Sequence, residues 1–336
     1  LTVAIPTCNG AAHLAETLDS VLAQSDADFD LLVSDDRSED GTLELVREHA
    51  GPRAKVVRND ERLGLAGNWN QCVALCRTPW ISIFHQDDVM KPGHLAWVLR
   101  QIERLGDASR TGLIAGPVEV IDDQSRPVSP RVIDPGGICY SARPPQGVDF
   151  DDLPPGELTD LLGWHNPLRC SAVVTSKAAH ADVGGFDAAY RYVVDWDFWY
   201  RVASRWGVCW KLGEPGVQVR WHSASETHRF KTGIEDLEEA GRLIDRISDI
   251  ERQDQGRESD ARRFASSHLA RALLNRSHEA LQSGQMDLAR TCLRRAVTLS
   301  PTGVAATAAA DPRLAVQMAS LWLSPRLARR WFTRQR

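Results

Sequence analysis

The sequence predicts an open α/β domain built on a mostly parallel central sheet, followed by a helical extension. Three observations predict it. Short apolar runs of strand length repeatedly give way to a polar loop and then to apolar residues at helical spacing, the pattern of successive parallel βα units. Acids and amides recur around these loops, at Asn9, Asp35, Asp36, Asn70 and Asp87. Past residue 230 the strand-like runs stop, and apolar residues recur at helical spacing in a charged background.

Residues 1–6 form the first apolar run, Thr7-Cys8-Asn9-Gly10 a turn, and Leu14, Leu18, Val21 and Leu22 the face of a helix. A second run at 29–34 ends in Asp35-Asp36-Arg37-Ser38-Glu39-Asp40-Gly41-Thr42, before a helix over 43–49. Residues 55–58 read as a third strand, and Gly64-Leu65-Ala66-Gly67-Asn68-Trp69-Asn70 opens a helix running to about Arg77. A fourth run, Pro79-Trp80-Ile81-Ser82-Ile83-Phe84, stops abruptly in His85-Gln86-Asp87-Asp88. A helix over 95–105 and strands at 113–116 and 118–121 follow, then a Pro-, Gly- and Asp-rich excursion over 125–155. Trp164-His165-Asn166-Pro167 leads into a buried strand at 170–174, and the next helix ends at Gly184-Gly185-Phe186-Asp187. On a helix within 192–202, Trp196, Trp199 and Tyr200 share a face while Asp195 stands at the amino end. Strands at 208–212 and 217–221 close the domain, with His222 directly after and a polar, lid-like stretch at 223–229.

The expected boundary lies at residues 1–230 and 231–336. In the extension, Ile234, Leu237, Ala240, Leu243, Ile244, Ile247 and Ile250 line a helix that breaks at 253–256. Residues 270–301 resemble one tetratricopeptide-like hairpin, with Gly284 at the turn and Ala289, Leu293, Ala296 and Pro301 at the offsets of its second helix. A single repeat cannot stack on itself, so it is expected to pack on the α/β domain. The last residues carry Arg326, Arg329, Arg330, Arg334 and Arg336 with Leu327, Trp331 and Phe332 between them. That pattern fits a peripheral contact with an anionic membrane surface, or a frayed, solvated terminal helix.

A net charge of −5 gives no general attraction to nucleic acid, which is not expected as a partner. Seven scattered cysteines without a CxxC pair point to a reducing, cytoplasmic compartment rather than a disulfide framework. No run approaches the ~18 apolar residues of a membrane span, and the opening residues lack the charged n-region of a signal peptide. Eleven tryptophans suit core packing, with sugar stacking as the alternative.

Right-handed crossovers would gather the loops after the strands along one sheet edge, where open α/β sheets bind ligands. Asp87 and Asp88 there read in two ways, as oxygen ligands for Mg²⁺ or Mn²⁺ or as a cap on the next element. Asp195 likewise reads as a helix cap or a base, and His165 as a substrate contact or a packing residue.

The ordered set Pro6-Thr7-Cys8-Asn9, Asp35-Asp36, Gly64-Leu65-Ala66 with Asn70, His85-Gln86-Asp87-Asp88 with Pro92, Gly184-Gly185-Phe186-Asp187 and Asp195-Trp196-Asp197 resembles the bacterial family 2 glycosyltransferases of GT-A fold, over roughly residues 1–230. The resemblance implies an inverting, non-processive, metal-dependent transfer of a sugar from a UDP-linked donor to a hydroxyl of a glycan or glycolipid, as in polysaccharide biosynthesis. Pro6, Thr7, Asn9, Asp35, Asp36, Asn70, Gln86 and Asp87 then form the nucleotide-sugar set. Asp87 and His222 are the metal residues, with Mn²⁺ or Mg²⁺ as cofactor, and Asp195 is the catalytic base. Asp88, Trp164, His165 and Trp196 are placed on the acceptor side. His85 stands where the family's DxD motif starts with an acid, and Val194 replaces an acid common before the base.

Two other classes compete. A nucleotidyltransferase also uses acidic metal ligands, but Thr7-Cys8-Asn9-Gly10 lacks a basic phosphate loop. A catalytically inactive sugar-nucleotide-binding or scaffold protein is the non-enzyme alternative, suggested by His85 and Val194. Processive membrane synthases carry a Gln-x-x-Arg-Trp motif, whose spacing Arg201 and Arg205-Trp206 do not reproduce.

Overall fold

The computed structural model describes residues 1–106, 109–128, 152–210, 213–222, 225, 233–255, 260–310, 316 and 318–321. They fall into two compact units, one built on described residues within 1–128, 152–162 and 166–222, the other on 163–165 and the described residues from 225 to 321.

In the first unit β1 (Thr2–Thr7), α1 (Leu14–Leu22), β2 (Asp30–Asp35), α2 (Thr42–His49), β3 (Ala54–Arg58), α3 (Gly64–Leu75) and β4 (Trp80–Ile83) alternate as the sequence predicts. β5 (Val89–Met90), α4 (His94–Leu105), β6 (Thr111–Ala115), β7 (Val118–Ile121) and α5 (Thr159–Leu162) follow. β8 (Val173–Ser176), α6 (Lys177–Val183), α7 (Val194–Arg205), β9 (Gly207–Trp210) and β10 (Val217–Arg220) complete the unit. Seven strands form the main sheet in the order β3-β2-β1-β4-β8-β6-β9. β1 is buried along its whole length, as a parallel strand covered on both faces must be, and β3 at the edge is largely exposed.

β8 runs antiparallel to both neighbours, β4 and β6, so the sheet is mostly parallel, as the sequence predicts. β7 and β10 leave the main sheet and pair with each other in parallel, β10 also pairing antiparallel with β5, to form a second, three-stranded sheet. The main core joins Val3, Ile5, Leu14, Leu18, Leu31, Val33, Phe84 and Leu95, and Val217 of the small sheet packs into it. This packing fixes the small sheet beside the carboxyl ends of β1 and β4. Register then sets the site, because Thr7 lies opposite Asp35 and Phe84 N–H donates to Ala4 O at 2.8 Å.

The second unit holds α8 (Glu235–Gln255), α9 (Asp260–Gln282), α10 (Met286–Leu299) and α11 (Pro301–Ala310). α9 and α10 form the hairpin, with Gly284 turning it at φ 76° and Ser277 Oγ donating to Ala289 O at 2.7 Å. The first arm begins earlier than the repeat pattern suggests, and Pro301 opens a further helix instead of ending the motif. Arg276 and Asp236 make a buried ion pair at 2.8 Å inside this unit. Among the described residues no helix is long and apolar enough to cross a membrane. The basic stretch past residue 321, most of the 223–229 stretch and most of 125–155 lie outside the described residues.

Candidate active site

The carboxyl ends of β1 and β2 are cross-tied. Thr7 Oγ1 donates to Asp35 Oδ1 and Ser38 N–H to Asp35 Oδ2, both at 3.0 Å, and Arg58 lies 3.6 Å from the same carboxylate. Pro6, immediately before, is buried in β1. Asp36 accepts N–H groups from Leu63 at 2.7 Å and Gly64 at 2.9 Å, which caps the start of α3. Asn9 takes a left-handed conformation at φ 50°, accepting Glu39 N–H at 2.8 Å while its own N–H donates to Ser38 Oγ at 2.9 Å.

Gln86 and Asn70 spend their amides on the chain. Gln86 accepts Cys8 N–H at 2.9 Å and donates to Cys8 O at 3.3 Å, hooking the loop after β4 onto the loop after β1. A Cβ on Gly10 would fall 2.2 Å from Gln86 Oε1, so any larger residue there would displace the Gln86 amide from Cys8. Asn70 clamps both backbone groups of Phe186, at 2.8 and 2.9 Å, tying α3 to the Gly-Gly-Phe-Asp loop. Gln86, Asn70 and Asp36 thus brace the loops at this edge of the sheet.

β4 ends at Ile83, and His85, Asp87 and Asp88 follow in a turn toward β5. Asp87 is partly exposed and accepts His222 Nε2–H at 2.8 Å. Burial works against its ionisation, but that bond and the charges of His85 and His222 outweigh it and hold the carboxyl below the usual range. Asp88 is buried, accepting Ser171 Oγ–H at 2.5 Å and Arg220 N–H at 2.9 Å. Burial, followed by the charge of Asp87, pushes Asp88 up to about 6. The imidazole of His85 stacks on Trp69 at 5.3 Å, and its buried Nε2 has no hydrogen-bond partner.

Beneath this turn lies Arg220, which sequence reasoning missed. Its guanidinium is 1% exposed; Nε donates to Asp87 O, Nη1 to Asp122 O and Ser125 Oγ, and Nη2 to Glu16 at 2.7 Å. At the end of an apolar strand beside Trp221 and His222, its position was the available signal. Its fork ties the turn between β4 and β5, the turn after β7 and α1 to one point.

Asp195 sits in the first turn of α7, where Oδ1 accepts Trp196 N–H at 2.7 Å and Oδ2 accepts Asn166 Nδ2–H at 3.2 Å. Burial raises its pKa against the charges of Arg169 and His85. His85 therefore acts on Asp195 as well as on Asp87, and the buried thiol of Cys170 is pushed up by burial and by the charges of both Asp195 and Asp88. Asp197, next along the helix, pairs with Arg201 at 2.6 Å, and Arg201 also binds the carbonyls of Val183 and Gly185.

Trp196 turns inward, its indole N–H donating to Leu162 O at 2.6 Å, and serves packing. Trp164 and His165 stack on each other at 5.4 Å and belong to the second unit with His268.

The donor chemistry fits a divalent cation at the turn. The ligand atoms of His85, Asp87 and Asp88 lie within 4.8 Å of one another, His85 Nε2 is buried without a partner, and Asp87 is held ionised.

Residues 2–135 match the model of glycosyl transferase family 2. The chain belongs to glycosyl transferase family 2. An uncharacterized protein, MT1568, of Mycobacterium tuberculosis (strain CDC 1551 / Oshkosh) is 30% identical over 232 residues, 68% of this chain and 69% of that one. The succinoglycan biosynthesis protein ExoO of Rhizobium meliloti (strain 1021) is 29% identical over 126 residues, 38% of this chain and 35% of ExoO. This family 2 glycosyltransferase shares its fold with S. aureus TarS 1-349 in complex with UDP-GlcNAc, at a TM-score of 0.60 and 14% identity, covering 98% of this chain and 89% of that one. The mannosyltransferase PcManGT from Pyrobaculum calidifontis, in complex with GDP-Man and Mn²⁺, matches at a TM-score of 0.53 and 18% identity, covering 98% and 82%. The fold is therefore GT-A, with C-terminal helices present.

Proposed function

We propose that this family 2 glycosyltransferase moves a sugar from a UDP-linked donor to a hydroxyl of a glycan or glycolipid, with Mn²⁺ or Mg²⁺ and with inversion at the anomeric carbon. The observation that carries the reading is geometric: the ligand atoms of His85, Asp87 and Asp88 lie within 4.8 Å of one another on the loop after β4, which Gln86 hooks onto the loop after β1 beside the Thr7–Asp35 tie. Neighbours of the same fold described with UDP-GlcNAc and with GDP-Man and Mn²⁺ support a nucleotide-sugar donor and a divalent cation. Relatives such as ExoO, named for succinoglycan biosynthesis, support a glycan acceptor.

The residues divide the work. Thr7, Asn9, Asp35 and the loops braced by Asp36, Asn70 and Gln86 frame the nucleotide at the carboxyl edge of β1 and β2. Asp87 would hold the cation, with His222 as the second protein group at that position and His85 Nε2 available beside it. When bound, the cation supplies Lewis-acid stabilisation of the charge developing on the departing diphosphate. Asp195 accepts the proton of the attacking hydroxyl at Oδ2 or Oδ1, and burial makes it a stronger base than an exposed carboxylate. Asn166 and the α7 backbone orient it. A base opposite the leaving group inverts the anomeric centre.

We assign residues 1–230 to catalysis and 231–336 to a helical extension. Among the described residues Cys72, Cys76, Cys170 and Cys292 are buried thiols, which fits a reducing cytoplasm. The test is product analysis after incubation with a panel of nucleotide sugars and Mn²⁺ or Mg²⁺. Glycosyl transfer releases a nucleoside diphosphate, whereas pyrophosphate release would assign a nucleotidyltransferase. Donor binding without turnover would assign the scaffold reading.

A further inference from the structure

Beside the Asp87 turn lies a second group of ligating side chains, of which the proposed reaction uses only His222. His13 from the start of α1, Asp123 from the turn after β7 and His222 after β10 bring one ligand atom each within 4.8 Å of one another. His13 Nε2 lies 3.3 Å from Asp123 Oδ1, and the His13 and His222 rings meet edge to face at 4.8 Å. The His13 side chain makes no capping bond at α1.

The group is held in place. Asp122 closes the turn by accepting Gln124 and Arg126 N–H at 2.9 and 3.0 Å, and Ser125 Oγ bonds Glu16 of α1 at 2.9 Å. Arg220 ties the same turn to α1, and Glu16 answers the guanidinium charge at 2.7 Å, so that charge does not stand unmatched beside the imidazoles. Two imidazoles and one carboxylate from three elements make a donor set that suits a borderline transition cation better than Mg²⁺ and leaves coordination positions open. Asp123 is 58% exposed, which gives an ion access.

We propose that His13, Asp123 and His222 form a second divalent-cation site, selective for transition metals, adjacent to the Asp87 position. His222 is common to this group and to the Asp87 position, and its 2.8 Å bond to Asp87 joins them; His13 and Asp123 belong to this group alone. The site does not depend on the identity of the donor or on turnover.

The test uses the metal-stripped full chain titrated with Co²⁺ alone, followed by equilibrium dialysis and visible absorption. Wild type binds one more Co²⁺ per chain than His13→Gln or Asp123→Asn, and the nitrogen-ligated absorption of that ion is lost with it. Neither substituted residue belongs to the proposed donor site, so nucleoside-diphosphate release with Mn²⁺ reports on the catalytic reading separately. Melting in EDTA checks that each variant is folded; because Asp123 is largely exposed, Asp123→Asn keeps the comparison valid even where His13→Gln does not fold. Equal Co²⁺ stoichiometry in wild type and a folded variant overturns the proposal.

Discussion

Asp195 and Asp88 are both buried carboxyls with raised pKa values, yet they should answer different experiments. As the base, Asp195 works ionised, so kcat/KM falls as pH drops through a value above the ordinary 3.8 of an aspartate. Asp195→Asn should lower kcat by about 10²–10⁴-fold and abolish that acid limb while donor affinity is kept, as single-turnover kinetics and calorimetry would read. Asp88 instead braces the turn. Its folded pKa of about 6 exceeds the unfolded value of 3.8, so the folded state holds the proton more tightly. The cost of ionising it grows between those values and is fully present above them. An asparagine there can still accept from Arg220 N–H and bond Ser171. Asp88→Asn should therefore remove the loss of stability across that window, as urea unfolding at a series of pH values would show; an unchanged slope would contradict the assignment.

At the scale of elements, the site depends on ties between loops that are distant in sequence. Arg220→Lys should behave almost as a deletion, because an ammonium cannot reach Asp87 O, Asp122 O, Ser125 Oγ and Glu16 together. Stranded buried acceptors make the expected loss on the order of 3 kcal/mol, after discounting Glu16, which water can solvate. Denaturant midpoints measure it, and the Lys variant restoring wild-type stability would contradict the account. Gly10→Ala should push Gln86 off Cys8 and raise the donor's KM more than it changes kcat. β1 to β4 were legible because each buried run ends in a polar loop before a helix. The antiparallel direction of β8 was not, since a short buried run carries no sign of polarity. Nor was the transfer of β7 and β10 to a second sheet, which the pairing of Val217 with Val118 and Met90 decides. The acids of the site stood out as charges after strands. Arg220 did not, because its partners are mainly backbone carbonyls set by the tertiary fold, and Trp196 misled because an aromatic face on a helix looks the same whether it meets sugar or core.

Across the whole molecule, a net charge of −5 coexists with a cluster of acids and imidazoles on one sheet edge, a concentration of ligands that a cation and a diphosphate would neutralise together. The helical unit has its own buried pair, Arg276 with Asp236, and its own apolar core around Leu281 and Leu293. It therefore holds its hairpin without help from the reaction site. The central claim is that Asp87 binds the donor through a divalent cation while Asp195 acts on the acceptor. The most direct measurement is calorimetric titration of a turned-over nucleotide sugar into wild type, Asp87→Ala and Asp195→Asn, each with Mn²⁺ and with EDTA, alongside nucleoside-diphosphate release. The account predicts cation-dependent binding in wild type and Asp195→Asn, loss of that dependence in Asp87→Ala, and turnover in wild type alone. Unchanged cation-dependent binding in Asp87→Ala, or full turnover by folded Asp195→Asn, would contradict it.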